Sequence, residues 1–176
     1  MTPRIARLEK DQVDQETGKI YETYLQERGN VPNMFRTVAH RPEIFRTMIA
    51  HFRAVMNTGT VPAKLKELVI VRTSQLNDCD YCLASHTVLA RRLGWSTEQV
   101  DDLANFRTRI DFTDAEKAAL ELAERATLDS NSVDDVFWNE LRKFYDEGEI
   151  IELLAAIGLF NYFNRFNNSL HMEPTK

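Results

Sequence analysis

The sequence predicts an all-α chain of about eight helices, and three observations carry that reading. In 176 residues there are only 6 glycines and 5 prolines, too few for the many tight turns of a β-sandwich or barrel of this length. Apolar residues recur at helical spacing through most of the chain, with no useful stretch of strand-like alternation. Capping residues stand where these stretches begin. The chain is 43% hydrophobic and 28% charged, a balance that favours a folded core over disorder, and one domain spanning residues 1–176 is expected.

The helices follow in order. Residues 17–28 set Ile20, Tyr24 and Leu25 against Glu22, Gln26 and Glu27, and Gly29-Asn30 ends the helix. Residues 31–35 read as a link with buried apolar side chains that could also wall a substrate pocket, its own or a neighbouring subunit's. Pro42 opens a helix to about residue 56, with Ile44, Phe45, Met48, Ile49, Phe52 and Val55 along one face. Pro62 opens the next, to about Leu76. Asn77 and Asp78 suit a cap, so a new helix runs from there through Cys79, Cys82 and His86 to Leu93, with Gly94 as its stop. Ser96 or Thr97 caps a short helix to Asn105, and Thr113 through Glu116 has the capping-box form before a helix to Leu128. Helices at 133–145 and 149–167 complete the chain.

Charge and segment length narrow the function. A formal charge of −5 opposes general binding to nucleic acid or to anionic membranes, since both are polyanions. The longest nearly apolar stretch, 153–160, is about 8 residues, against roughly 20 for a membrane span. Residues 1–10 carry Arg4, Arg7 and Lys10 and no apolar run of the signal-peptide kind, so a cytoplasmic location is expected. The two cysteines, Cys79 and Cys82, form a CxxC that in a reducing compartment points to redox chemistry or a metal.

The segment 67–86 concentrates the chemistry. On one helix Cys79, Cys82 and His86 stand at i, i+3 and i+7 and share a face. Residues three apart bring their Cα atoms to about 5–6 Å, within reach of a disulfide. Cys79, at the helix start, gains from the N-terminal dipole as a thiolate. Cys82 has His86 one turn further on, an imidazole able to take the thiol proton. If the chain reverses at Asp78, Glu67 lies roughly 16 Å from the turn and His86 roughly 12 Å, so the carboxylate comes level with the imidazole and can orient it.

Glu67-x11-Cys79-x2-Cys82-x3-His86, on a helical chain opening with Val31-Pro32-Asn33-Met34-Phe35-Arg36, resembles the AhpD-like branch of the carboxymuconolactone decarboxylase family, in its peroxidase-related subgroup. The resemblance covers roughly residues 4–170 and implies an AhpD-like helical bundle, with the CxxC at the N-terminus of a central helix. It implies a thiol peroxidase. Cys82 would attack a hydroperoxide and become a sulfenic acid; Cys79, nearer the surface, would resolve it to a disulfide. His86 and Glu67 would relay protons. No cofactor or metal is implied; the partners are a hydroperoxide, an external dithiol reductant of lipoyl- or thioredoxin-type, and further copies of the chain as a trimer or hexamer. One position departs: AhpD carries a relay histidine immediately before its second cysteine, where this chain has Tyr81, and a phenol with a pKa near 10 shuttles protons less readily at neutrality.

Plainer readings stand beside these. The CxxC with His86 and Glu67 could ligate zinc, although structural zinc ordinarily draws four ligands from Cys and His, or the thiols could be inert and buried. The fold could serve a cofactor-free decarboxylase-like lyase using His86 and Glu67, or a non-catalytic redox sensor. Ser74, two turns beyond Glu67, either lines the site or packs helices. Tyr81 either bonds within the site or covers it. His40, His51 and His171 read as surface or packing residues, Phe160, Tyr162, Phe163 and Phe166 as core or subunit interface, and Asn161, Asn164, Asn167 and Asn168 as bridging the end of the last helix.

Overall fold

The computed structural model describes residues 2–175, and among them nine α-helices and no strands. They are α1 (Gln15–Arg28), α2 (Asn33–Val38), α3 (Pro42–Asn57), α4 (Ala63–Leu76), α5 (Asp80–Arg92), α6 (Thr97–Asp101), α7 (Asp114–Leu128), α8 (Asp135–Leu141) and α9 (Glu147–Leu170). The all-α expectation holds, with one helix more than the sequence suggested: the supposed link at 31–35 winds into α2. Its Pro32 carbonyl accepts from the Phe35 and Arg36 N–H groups, and Met34, Phe35 and Val38 turn inward. Six residues are too few for periodicity to separate a helix from an apolar link.

Local chemistry sets most boundaries. Asp14 accepts from the Glu16 and Thr17 N–H groups at the start of α1, and Gly29 ends it in the left-handed region at φ 76°. Reciprocal capping boxes open α6 (Ser96, Gln99), α7 (Thr113, Glu116) and α9 (Asp146, Glu149). The helix expected at 133–145 is shorter, because Asp134 caps it and it ends at Leu141.

Helix α4 is the axis. Leu68, Val69, Ile70 and Val71 are all fully buried, as a helix needs when α5, α7 and α9 pack around it. Ile70 joins a core with α1, α2, α3 and α9; Val69 joins one with α7, α8 and α9; Leu68 and Val71 join one with α5 and α6. Every face of α4 therefore meets a different apolar cluster, and its end delivers the chain into the CxxC turn. No helix among the described residues is long and apolar enough to cross a membrane.

Candidate active site

The turn between α4 and α5 is held from behind by α9. Asn77 caps α4 and donates through Nδ2 to Asn161 Oδ1 (2.8 Å) and Asn164 Oδ1 (3.1 Å), while Asn168 Nδ2 donates to the Asn77 carbonyl (2.7 Å). Asp78 then reverses the chain with φ 49°, a left-handed conformation that Asp tolerates better than most residues. Cys79 is the N-cap of α5 and Cys82 its third residue, so the CxxC starts the helix as expected, one residue later than Asp78 as cap would give.

Both thiols are free and buried, but unequally placed. Cys79 is 0% exposed; Cys82 is 3% exposed and lines a cavity of about 140 Å³. The resemblance put Cys79 nearer the surface. The structure reverses this, because Cys79 points back toward the α9 asparagines while Cys82, one turn on, faces the cavity. The two sulfurs hydrogen-bond each other. The Cys82 thiol donating to Cys79, with help from Asn164 and Asn167, lowers the Cys79 thiol from 9.0 to about 7 despite its burial. The same contact, with burial and the neighbouring charge, pushes the Cys82 thiol up. One proton is thus shared between two sulfurs, and the first to leave the pair does so near neutrality.

Glu67 and His86 come together as the register arithmetic required. Glu67 Oε2 and His86 Nδ1 lie 2.6 Å apart, both residues line the Cys82 cavity, and the imidazole edge rests against Phe160 at 4.7 Å between centroids. A carboxylate on Nδ1 fixes the ring and leaves Nε2 free of that contact. The rest of the wall is largely apolar, with Met34, Phe35, Phe52, Phe160 and Phe163. The segment 31–35 therefore walls the pocket of its own chain.

Two other expectations resolve differently. Ser74 does not line the cavity: its Oγ accepts from Asn164 Nδ2 (3.2 Å) and its carbonyl accepts from the Cys79 N–H (3.0 Å), so it braces the turn from below. Tyr81 does line it, as an anchor. Its hydroxyl accepts from the Met34 N–H (3.1 Å) and pairs with Thr175 Oγ1 (3.2 Å), and burial pushes its phenol up, away from proton traffic near neutrality. Asn33 completes the latch, taking the Thr175 hydroxyl through its N–H at 2.9 Å and the Glu173 carbonyl through Nδ2 at 3.0 Å.

Sequence reasoning assigned Asn164 and Asn167 only to bridging the end of the last helix and missed their place at the thiols. Asn164 is 0% and Asn167 2% exposed, and Asn167 Nδ2 donates to Cys82 Sγ at 3.3 Å. The available signal was polar residues at three- and four-residue spacing on an otherwise apolar helix, a pattern that burial makes costly unless each amide has a partner. Among the described residues, no three His, Cys, Asp or Glu side chains are grouped as a metal ion would need.

Residues 42–125 match the carboxymuconolactone decarboxylase family, from α3 through most of α7 and so across the whole motif. Over 103 residues the chain is 35% identical to uncharacterized protein YdfG of Bacillus subtilis (strain 168), covering 58% of this chain and 70% of that protein. This chain belongs to the carboxymuconolactone decarboxylase family. The AhpD core of a peroxidase-related protein from Ralstonia eutropha JMP134 superposes with a TM-score of 0.89 at 26% identity, covering 99% of this chain and 93% of that one. A variant of the debrominase Bmp8 in complex with 2,3,4-tribromopyrrole superposes with a TM-score of 0.84, covering 99% of this chain and 93% of that one; at 22% identity the likeness is one of fold. The family member described here thus shares its AhpD-like helical fold with peroxidase-related proteins.

Proposed function

We propose that this member of the family is a dithiol peroxidase that reduces a small organic hydroperoxide through Cys82 and Cys79. The observation that carries the reading is one cavity wall holding Cys82, His86 and Glu67 together, with the second sulfur hydrogen-bonded behind the first. The Cys82 thiolate attacks the terminal oxygen of R–O–O–H. An S–O bond forms, the O–O bond breaks, and the leaving alkoxide takes a proton from His86, whose ring Glu67 orients. Cys79 then attacks the sulfenic sulfur, closing the disulfide and releasing water, and an external dithiol restores the pair. The aromatic, roughly 140 Å³ cavity supports a small apolar R group.

Hydroperoxide consumption with a supplied dithiol tests the proposal. Cys82→Ser should abolish turnover, and turnover unchanged in that variant would falsify it. A lyase acting through His86 and Glu67 alone would keep its activity in the same variant.

A second reading rests on the flat aromatic walls contributed by Phe35, Phe52, Phe160 and Phe163. The same dithiol is suited to reductive removal of a halogen from a small ring: C–Br and two S–H groups become C–H, a disulfide and HBr. Bromide release from 2,3,4-tribromopyrrole, the molecule bound by the Bmp8 neighbour, separates this reading from hydroperoxide reduction.

A further inference from the structure

Charge and access fall on different sulfurs. The pair's hydrogen bond holds the Cys79 thiol down and pushes the Cys82 thiol up, yet Cys79 has no surface in the cavity while Cys82 faces it. A nucleophile needs both. One proton hop along the S–H···S contact, from Cys82 to Cys79, unites them, and some group must then hold the charge on Cys82.

Asn167 is the side chain so placed: its amide also helps lower the Cys79 thiol, but its nearest sulfur contact is the hydrogen bond to Cys82. It is nearly fully buried, it lines the cavity, and Nδ2 donates to Cys82 Sγ at 3.3 Å. Its other amide atom, Oδ1, is buried with no hydrogen-bond partner. A buried carboxamide matched at only one end is costly and calls for an explanation, such as a group that arrives during the reaction. Asn164, one turn earlier on α9, has both ends of its amide on structural partners, Oδ1 accepting from Asn77 and Nδ2 donating to Ser74.

We propose that Asn167 makes Cys82 the nucleophile: Nδ2–H holds the negative charge on that sulfur, and Oδ1 accepts the hydroxyl hydrogen of the incoming hydroperoxide and then of the sulfenic acid. The Oδ1 half rests on the peroxidase reading; the Nδ2 half does not. In the oxygen transfer, Cys82 S⁻ gains the terminal O–H of R–O–O–H, the O–O electron pair leaves with RO⁻, and His86 supplies the proton that makes ROH. Cys79, protonated by the earlier hop, gives that proton to the departing hydroxide as the S–S bond forms. The ionisable groups around the reacting sulfur are Arg28 from α1, Glu67 from α4, and Cys79, Tyr81 and His86 from α5; α2, α3 and α9 present uncharged side chains to the cavity.

Iodoacetamide alkylation followed by peptide mass mapping, across a pH series, tests the Nδ2 half without any hydroperoxide. In Asn167→Leu, close in size to Asn but without a donor, labelling of Cys82 at neutral pH should fall about tenfold or more, and the midpoint of its pH profile should rise by about one unit or more. Asn105→Ala, which removes an exposed amide bonded to Asp102 away from the cavity, should match the wild type. Asn167→Ser, smaller than Asn and too short to reach the sulfur, gives the same comparison should the leucine chain not fold. An unchanged Cys82 rate and midpoint in the folded variant, or wild-type labelling confined to Cys79, overturns the Nδ2 half. Hydroperoxide reduction should fall further than alkylation, since only the peroxide uses Oδ1; an equal fall overturns the Oδ1 half. A chain that shows the alkylation shift yet reduces no hydroperoxide loses the peroxidase reading and keeps the role of Nδ2.

Discussion

Lys66 and Glu67 are neighbours on α4, both buried and both ion-paired, yet the surroundings give them opposite roles. Lys66, 1% exposed, directs Nζ to the Val55 carbonyl (2.8 Å), the Thr58 carbonyl (2.8 Å) and Glu152 Oε2 (2.9 Å), which occupies all three of its donors. Burial opposes the charge on Glu152, but Lys66 and the N–H groups of Thr60 and Val61 outweigh it and hold that carboxyl below its usual range. Gly59, at φ 88°, leaves the space in which the Glu152 carboxylate lies. Glu67, one residue on, makes its short contact to a histidine that shares a cavity wall with a thiol. A saturated buried charge fixes the chain, whereas a buried charge whose partner borders open space is available for chemistry.

Breaking the saturated side should have the largest energetic effect. Lys66→Met leaves Glu152 and two carbonyls without their cation and is expected to cost about 3–5 kcal/mol in denaturant unfolding, with activity per folded molecule retained. Glu67→Gln, by contrast, should fold like the wild type and lose roughly a hundredfold in kcat for hydroperoxide, since the amide still accepts from Nδ1–H but carries no charge to complement the imidazolium. Equal stability losses in the two variants would erase the distinction.

The pH dependence is intermediate in size. Because the Cys79 thiol lies at about 7, below its ordinary 9.0, the pair holds its thiolate above neutrality and loses it as pH falls through about 7. Reaction with a thiol reagent should therefore rise about tenfold per pH unit below that midpoint and level off above it. A midpoint near 9 would show that neither the asparagines nor the second sulfur act on it. Smallest is the latch: Tyr81→Phe removes both hydroxyl contacts, to Met34 and to Thr175, and should cost about 1 kcal/mol, with proteolysis of the C-terminal segment quickened and the Cys79 midpoint unmoved.

Much of the site was legible because it lies on two consecutive helices. The i, i+3, i+7 relation of Cys79, Cys82 and His86 and the length of α4 fix which residues come level, and the Glu67–His86 contact follows from rise per residue. The α9 asparagines were not legible in the same way. Asn167 lies 85 positions from Cys82, and no helical period reports which distant face will close over a turn. Ser74 shows the same limit at shorter range: its helix face was readable, but its Oγ turns to Asn164 and not to the cavity.

The order of residues alone determined that the chain would be helical, where most helices start, and that a carboxylate, an imidazole and two thiols would lie along one antiparallel pair. Those features depend on neighbours within a turn or two, where backbone geometry dictates position. The tertiary structure decided which sulfur meets the cavity and that the pair loses its first proton near neutrality, because both depend on what α9 brings to the back of the turn. Burial and hydrogen bonding between distant segments set those electrostatics.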